Sequence, residues 1–178
     1  MDHYFVSLFF YQKNKTVLGK KEIPKKTKLQ VYKTTILPTM IYGAESWVTN
    51  TKIESRITAT EMKSLRKIAG HTRRDKIRNQ TIREDMDITP VTETIETKTL
   101  KWFGHVTRMK EDRLTRRVME SRPEGKKGKG RPRIEWEDHL ENISKKRGKT
   151  LREVKKLAKD REKFRRWIDP TLKGKRER

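Results

Sequence analysis

The chain has 178 residues, no cysteine and a formal net charge of +23, from 47 Lys and Arg against 24 Asp and Glu. The missing cysteine excludes a disulfide scaffold, a cysteine zinc site, an iron–sulfur cluster and a thiol nucleophile. So large a surplus of charge repels itself unless it meets a polyanion, which makes nucleic acid the expected partner ahead of an anionic membrane surface.

The longest apolar run is Tyr4-Phe5-Val6-Ser7-Leu8-Phe9-Phe10-Tyr11. It falls well short of the roughly 20 residues needed to cross a bilayer, and it lacks a basic lead and a small-residue cleavage site, so neither a membrane span nor a signal peptide is expected. From Lys25 to Trp47, Leu29, Tyr32, Ile36, Met40 and Tyr42 recur at near-helical spacing. Pro38 should kink or break that helix and Gly43 should weaken it. Thr51-Lys-Ile-Glu54 reads as a capping box opening a helix with Ile53, Ile57, Met62, Leu65 and Ile68 on one face, and Gly70 as its left-handed stop. Thr81-Ile-Arg-Glu84 is a second, shorter box. Thr89 and Pro90 read as N-cap and first-turn proline of a helix whose stripe is Val91, Ile95, Trp102, Phe103, Val106 and Met109. Thr150-Leu-Arg-Glu153 is a third box, followed by Val154, Leu157, Phe164 and Trp167. No alternating strand pattern and no internal repeat is found. The expected fold is all-α: short helices with a small core, a flexible basic linker and weakly packed C-terminal helices.

Leu, Ile, Val and Phe make up 37 of the 178 residues, close to the roughly 20% below which a highly charged chain stays disordered. Residues 1–109 hold 26 of them and residues 110–178 only 11, among 26 basic and 13 acidic side chains. The expected organisation is an unrelated or poorly ordered N-terminus over 1–19, a helical region over 20–110, a basic Gly/Pro linker over 111–133, and basic helices with a tail over 134–178. The last stretch should fold weakly alone, or order on meeting a partner.

Two-metal chemistry needs converging carboxylates, yet the chain has no Asp-Asp pair. Glu84 and Asp87 are one helical turn apart, and the plainer reading is a solvated acidic helix end. Glu135, Glu137, Asp138 and Glu141 suit the positive start of a helix. His3, His71, His105 and His139 have no metal-ligand spacing. No catalytic residue, metal or cofactor is expected. Cationic chemistry is plentiful. Lys126, Lys127, Lys129, Arg131 and Arg133 lie close together in a Gly/Pro-rich stretch that can follow a phosphate backbone and release counterions. Within it, Gly130-Arg-Pro-Arg133 matches the core of minor-groove hooks, in which a thin Arg-Pro edge fits a narrow groove. The plainer alternatives are a solvated linker or a nuclear-import signal. Arg73, Arg74, Lys76 and Arg78 form a second cluster after Gly70. Of the four tryptophans, Trp47 and Trp102 read as core, while Trp136 and Trp167 are candidates for stacking on an unpaired base.

A pattern runs through these motifs. Tyr42-Gly-Ala-Glu-Ser-Trp47 is followed by Glu61-Met-Lys-Ser-Leu-Arg66, then Arg73-Arg-Asp75 and Arg78-Asn79. Leu100-Lys-Trp-Phe-Gly-His-Val-Thr-Arg-Met109, Gly130-Arg-Pro-Arg133 with Trp136, and Asp160-Arg161 with Phe164-Arg165 complete it. In this order and spacing, from about Lys20 to Ile168, the chain resembles the region after the catalytic domain in endonuclease–reverse transcriptase polyproteins of LINE-type, non-LTR retrotransposons. The resemblance implies that Lys25–Trp47 belongs at or just after the polymerase thumb. The remainder would be the C-terminal extension, to which handling of template RNA or target DNA is attributed. The polymerase Asp-Asp motif and the endonuclease residues lie upstream in that family, so the resemblance implies a non-catalytic remnant that binds RNA or DNA, with a catalytic reverse transcriptase as a further partner and no membrane. Two departures stand out: Met1 to Asn14 do not match, and Phe164 stands where the family favours Trp. The competing readings are an RNA-directed DNA polymerase part acting with a catalytic partner, and a basic chain with no selected function. A nuclear location would suit the basic linker.

Overall fold

The structure, a computed structural model, describes residues 17–121 and 134–169. It is all-α, with no strand among the described residues. The helices are α1 (Lys25–Val31), α2 (Leu37–Met40), α3 (Thr51–Ala69), α4 (Asn79–Glu84), α5 (Val91–Thr107), α6 (Leu114–Glu120), α7 (Trp136–Lys146), α8 (Leu151–Ala158) and α9 (Arg161–Ile168). A π turn, Tyr32–Ile36, joins α1 to α2, and a 3-10 turn covers Ala44–Ser46.

The π turn answers the proline. Pro38 has no N–H, and its ring would collide with a carbonyl one turn back. The wider turn, in which the Leu37 N–H reaches back to the Tyr32 carbonyl, absorbs that conflict, and the helical run continues to Met40 instead of breaking. Tyr42, expected on the apolar stripe, is 72% exposed. It lies past the end of α2, where helical spacing no longer governs it.

Several starts differ from the expected boxes. The cap of α3 is Asn50, whose Oδ1 accepts the Ile53 N–H at 3.0 Å, so Thr51 is the first helical residue. Helix α4 starts at Asn79, which puts Thr81 inside it and unable to cap it. Helix α5 starts at Val91, one residue later than expected, and the Pro90 carbonyl accepts the Thr94 N–H. The Thr150–Glu153 box forms as expected, with Thr150 N–H donating to Glu153 Oε2 at 2.7 Å. Gly70 stops α3 at φ 75°, where an L side chain would be strained.

Two compact units divide between Ile95 and Glu96, with residues 44–48 belonging to the second. The first unit is built around Tyr32, Met62, Leu65, Ile82 and Met86. Glu61 is fully buried beside them. Its carboxylate pairs with the Arg83 guanidinium and accepts the Val91 N–H at 3.0 Å, so a remote side chain caps α5. A buried charge without such partners would be strongly unfavourable. Burial, reinforced by the Glu61 charge, pushes the Tyr32 phenol above its ordinary range.

The second unit packs Leu100, Phe103, Leu140, Ile143, Val154 and Phe164 into one cluster. Its C-terminal helices draw on Leu100 and Phe103 of α5, which a boundary near Lys110 assigns to the other region. Phe103 and Phe164 meet edge-on, with ring centroids 6.4 Å apart. Gly104 lets the Phe164 ring come so close that a Cβ there would lie 2.2 Å from Phe164 Cε1. The stretch read as a linker over 111–133 contains α6, which has no buried residue.

Candidate nucleic-acid interface

The cations fall into two groups by what they touch. One group holds the helices in place. Arg66 Nη2 donates to Asn79 Oδ1 at 2.6 Å. Arg108 Nη1 donates to the Ala158 carbonyl at 2.7 Å, Arg116 Nη1 to the Met109 carbonyl at 2.6 Å, and Arg147 Nη1 to the Ile168 carbonyl at 2.9 Å. Each of these last three serves a carbonyl at or just beyond a helix C-terminus, where positive charge is favoured. Several residues in the sequence motifs thus have structural roles here: Glu61, Arg66, Asn79, Gly104 and Phe164.

The other group is exposed. Arg73, Arg74, Lys76 and Arg78 occupy the segment between α3 and α4, and all four are exposed. The acid among them, Asp75, accepts the Thr72 N–H at 2.6 Å and lies 3.9 Å from His71 Nδ1. That backbone hydrogen bond holds the Asp75 carboxyl below its usual range. The Lys76 N–H donates to the Arg73 carbonyl at 3.3 Å, closing a turn in which Lys76 has φ 52°. Gly or Asn would adopt that left-handed conformation more readily than Lys. The segment therefore concentrates four cations and turns its acid onto its own backbone.

Lys126, Lys127, Lys129, Arg131 and Arg133 lie outside the described residues. Trp136 and Trp167 are half-buried and pack against the second unit's cluster. The Trp167 ring centroid is 5.7 Å from that of Phe164, and the buried Trp136 Nε1 finds no hydrogen-bond partner among the described residues. Glu84 and Asp87 do not share a helical face: α4 stops at Glu84, and Asp87 sits beyond it at φ 50°. Glu84 accepts from Gln80 Nε2 at 2.8 Å. Asp138 accepts the Glu135 N–H at 3.0 Å, and Glu137 pairs with Lys155, so this acidic cluster serves the start of α7. Among the described residues, no group of three His, Asp or Glu could hold a metal ion, and no helix is long and apolar enough to cross a membrane.

No family model and no solved structure matches the sequence. The chain is 28% identical over 148 residues, 79% of its length, to an uncharacterized transposon-derived protein of Caenorhabditis elegans. It spans about half of that relative, 53% of its length. The similarity supports a transposon-related origin for this all-α, strongly basic chain.

Proposed function

We propose that this protein binds nucleic acid without catalysing a reaction on it, in the manner of the region after the polymerase in LINE-type reverse transcriptases. The observation that carries the reading is the exposed cluster Arg73, Arg74, Lys76 and Arg78, set apart from the arginines committed to helix ends. Contacts to phosphates supply the affinity, and discrimination comes from the shape of the bound strand. The basic stretch Lys126–Arg133 adds a second set of phosphate contacts. The 178 residues include no Asp-Asp pair of the kind polymerase chemistry uses.

The test is fluorescence anisotropy with an RNA hairpin, single-stranded DNA and duplex DNA between about 50 and 200 mM salt, where charge-driven binding weakens steeply. Changing Arg73, Arg74, Lys76 and Arg78 to Gln should reduce the slope of log affinity against log salt on duplex DNA by about 3.6, at roughly 0.9 per phosphate contact. Changing Lys126, Lys127, Lys129, Arg131 and Arg133 to Ala should flatten it separately. An unchanged slope removes the altered segment from the interface. Mg²⁺-dependent turnover by the purified chain, abolished by changing Glu84 and Asp87, would refute the non-catalytic reading.

A further inference from the structure

The second unit carries a cationic stripe that neither the basic linker nor the Arg73 cluster includes. On α8, Val154 and Ala158 are fully buried and Leu157 is half-buried. Arg152, Lys156 and Lys159 follow at i, i+4 and i+7 on the opposite side, and all three are exposed. Lys159 keeps helical backbone angles, φ −66° and ψ −35°, so the stripe extends through the end of the helix. The neighbouring cations are engaged: Lys155 pairs with Glu137, and Lys163 with Asp160. Glu153, the acid on α8, is held chiefly by the N–H and hydroxyl of Thr150, and the Lys149 and Lys156 charges act on it more weakly. Arg152 and Lys159 pair with no carboxylate among the described residues. Like charge gathers at the far end of α8 as well. Arg108 reaches the Ala158 carbonyl there, and burial and then the Arg161 charge depress its guanidinium.

We propose that Arg152, Lys156 and Lys159 form a further, independent contact surface for the phosphate backbone of a nucleic acid strand. The inference rests on the nucleic-acid reading above and adds a site on the other unit. Seven residues of helix span about 10 Å at roughly 1.5 Å per residue. Measured along the axis of a duplex, at roughly 3.4 Å per nucleotide of one strand, that length covers about three phosphates. A membrane surface fits less well, because a helix that binds lipid needs its apolar face available, and here Val154 and Ala158 are committed to the core.

Two triple variants with the same net charge test it. Arg152→Gln, Lys156→Gln and Lys159→Gln removes the stripe and keeps good helix formers. Lys25→Gln, Lys145→Gln and Lys163→Gln removes three cations that pair with Asp85, Glu141 and Asp160. With circular dichroism confirming helicity in both, the stripe variant should lose about 2.7 from the salt slope on duplex DNA at about 0.9 per contact, so that its affinity falls roughly 40-fold less than the wild type's between about 50 and 200 mM salt. The paired-lysine variant should lose less than about one contact. Equal losses in the two variants mean that only net charge is read, and overturn the proposal. So does binding of the wild type, and not of the stripe variant, to phosphatidylserine vesicles that duplex DNA does not displace. If the Arg73 cluster variant loses salt dependence and the stripe variant does not, this surface is wrong and the broader reading stands. If the wild-type chain binds no nucleic acid, both fall.

Discussion

Gly104→Ala is the sharpest structural perturbation available. On an unconstrained helix the change would stabilise by about 0.5–1 kcal/mol, because Gly loses more backbone freedom on folding than Ala. Here the new Cβ would stand 2.2 Å from Phe164 Cε1, 2.6 Å from Cδ1 and 3.0 Å from Arg108 Nη1. Phe164 is 2% exposed and cannot swing into solvent without opening the core. Overpacking of this kind costs about 1–3 kcal/mol. Displacing Arg108 from the Ala158 carbonyl adds about 1 kcal/mol. The net expectation is a loss of about 1–3 kcal/mol. The assay is urea unfolding followed by tryptophan fluorescence, which reports on the second unit because Trp47, Trp102, Trp136 and Trp167 all belong to it. Phe164→Ala alone should cost about 3–5 kcal/mol. In the double variant the clash is gone, so the two losses should fall short of additivity by at least about 1 kcal/mol. A Gly104→Ala protein as stable as the parent, or strict additivity, would refute the packing described for Gly104 and Phe164.

Four other outcomes follow from named contacts. Glu61→Ala leaves the half-buried Arg83 guanidinium without its partner and the Val91 N–H uncapped, and should destabilise the first unit by about 3 kcal/mol, seen as an early thermal transition in circular dichroism; a change below about 1 kcal/mol contradicts the pair. Gly70→Ala must hold a side chain in the left-handed region and should cost about 1–2 kcal/mol in the same assay, with no loss contradicting that backbone. Hydrogen bonds from the Thr150 backbone and side chain hold the Glu153 carboxyl below its usual range, and the Lys163 N–H does the same for Asp160. Both folded pKa values are depressed, so the caps of α8 and α9 stabilise above the unfolded carboxylate pKa and are lost as pH falls through the folded values. Ordinary midpoints in an NMR titration would contradict both caps. Trp136→Phe deletes an unpartnered buried N–H and should leave stability within about 1 kcal/mol and binding unchanged; a large loss of RNA affinity would assign Trp136 to base stacking instead.

The fold was legible where a residue's role is local. Gly70, the Thr150–Glu153 box and the stripe Ile57, Met62, Leu65 and Ile68 follow from spacing and cap chemistry alone. The misplaced starts have different causes. Thr51 lost its capping role to Asn50, a comparable capping residue one position earlier. Val91 is served by Glu61, thirty residues away, which no local pattern reveals. Pro38 signals a disturbance in the sequence, but a π turn between α1 and α2 is invisible to a reading that offers only continuation or a break. The Arg73–Arg78 cluster was visible as charge, whereas its separation from Arg66, Arg83, Arg108 and Arg147 required knowing what each guanidinium touches. The α8 stripe was present as i, i+4, i+7 spacing and was hidden by the density of Lys and Arg around it. That the C-terminal helices share a cluster with Leu100 and Phe103 of α5 is a long-range contact that composition does not reveal.

The central claim is that the protein's exposed cations recognise a nucleic acid and are more than a store of charge. It is tested most directly by challenging wild-type complexes with RNA hairpin, single-stranded DNA and duplex DNA with heparin at about 200 mM salt, where counterion release contributes least. The account predicts that one nucleic acid resists heparin better than the others, and that changing Arg73, Arg74, Lys76 and Arg78 to Gln removes that advantage. If heparin displaces all three alike, the chain binds polyanions only because it is basic, and the claim is contradicted.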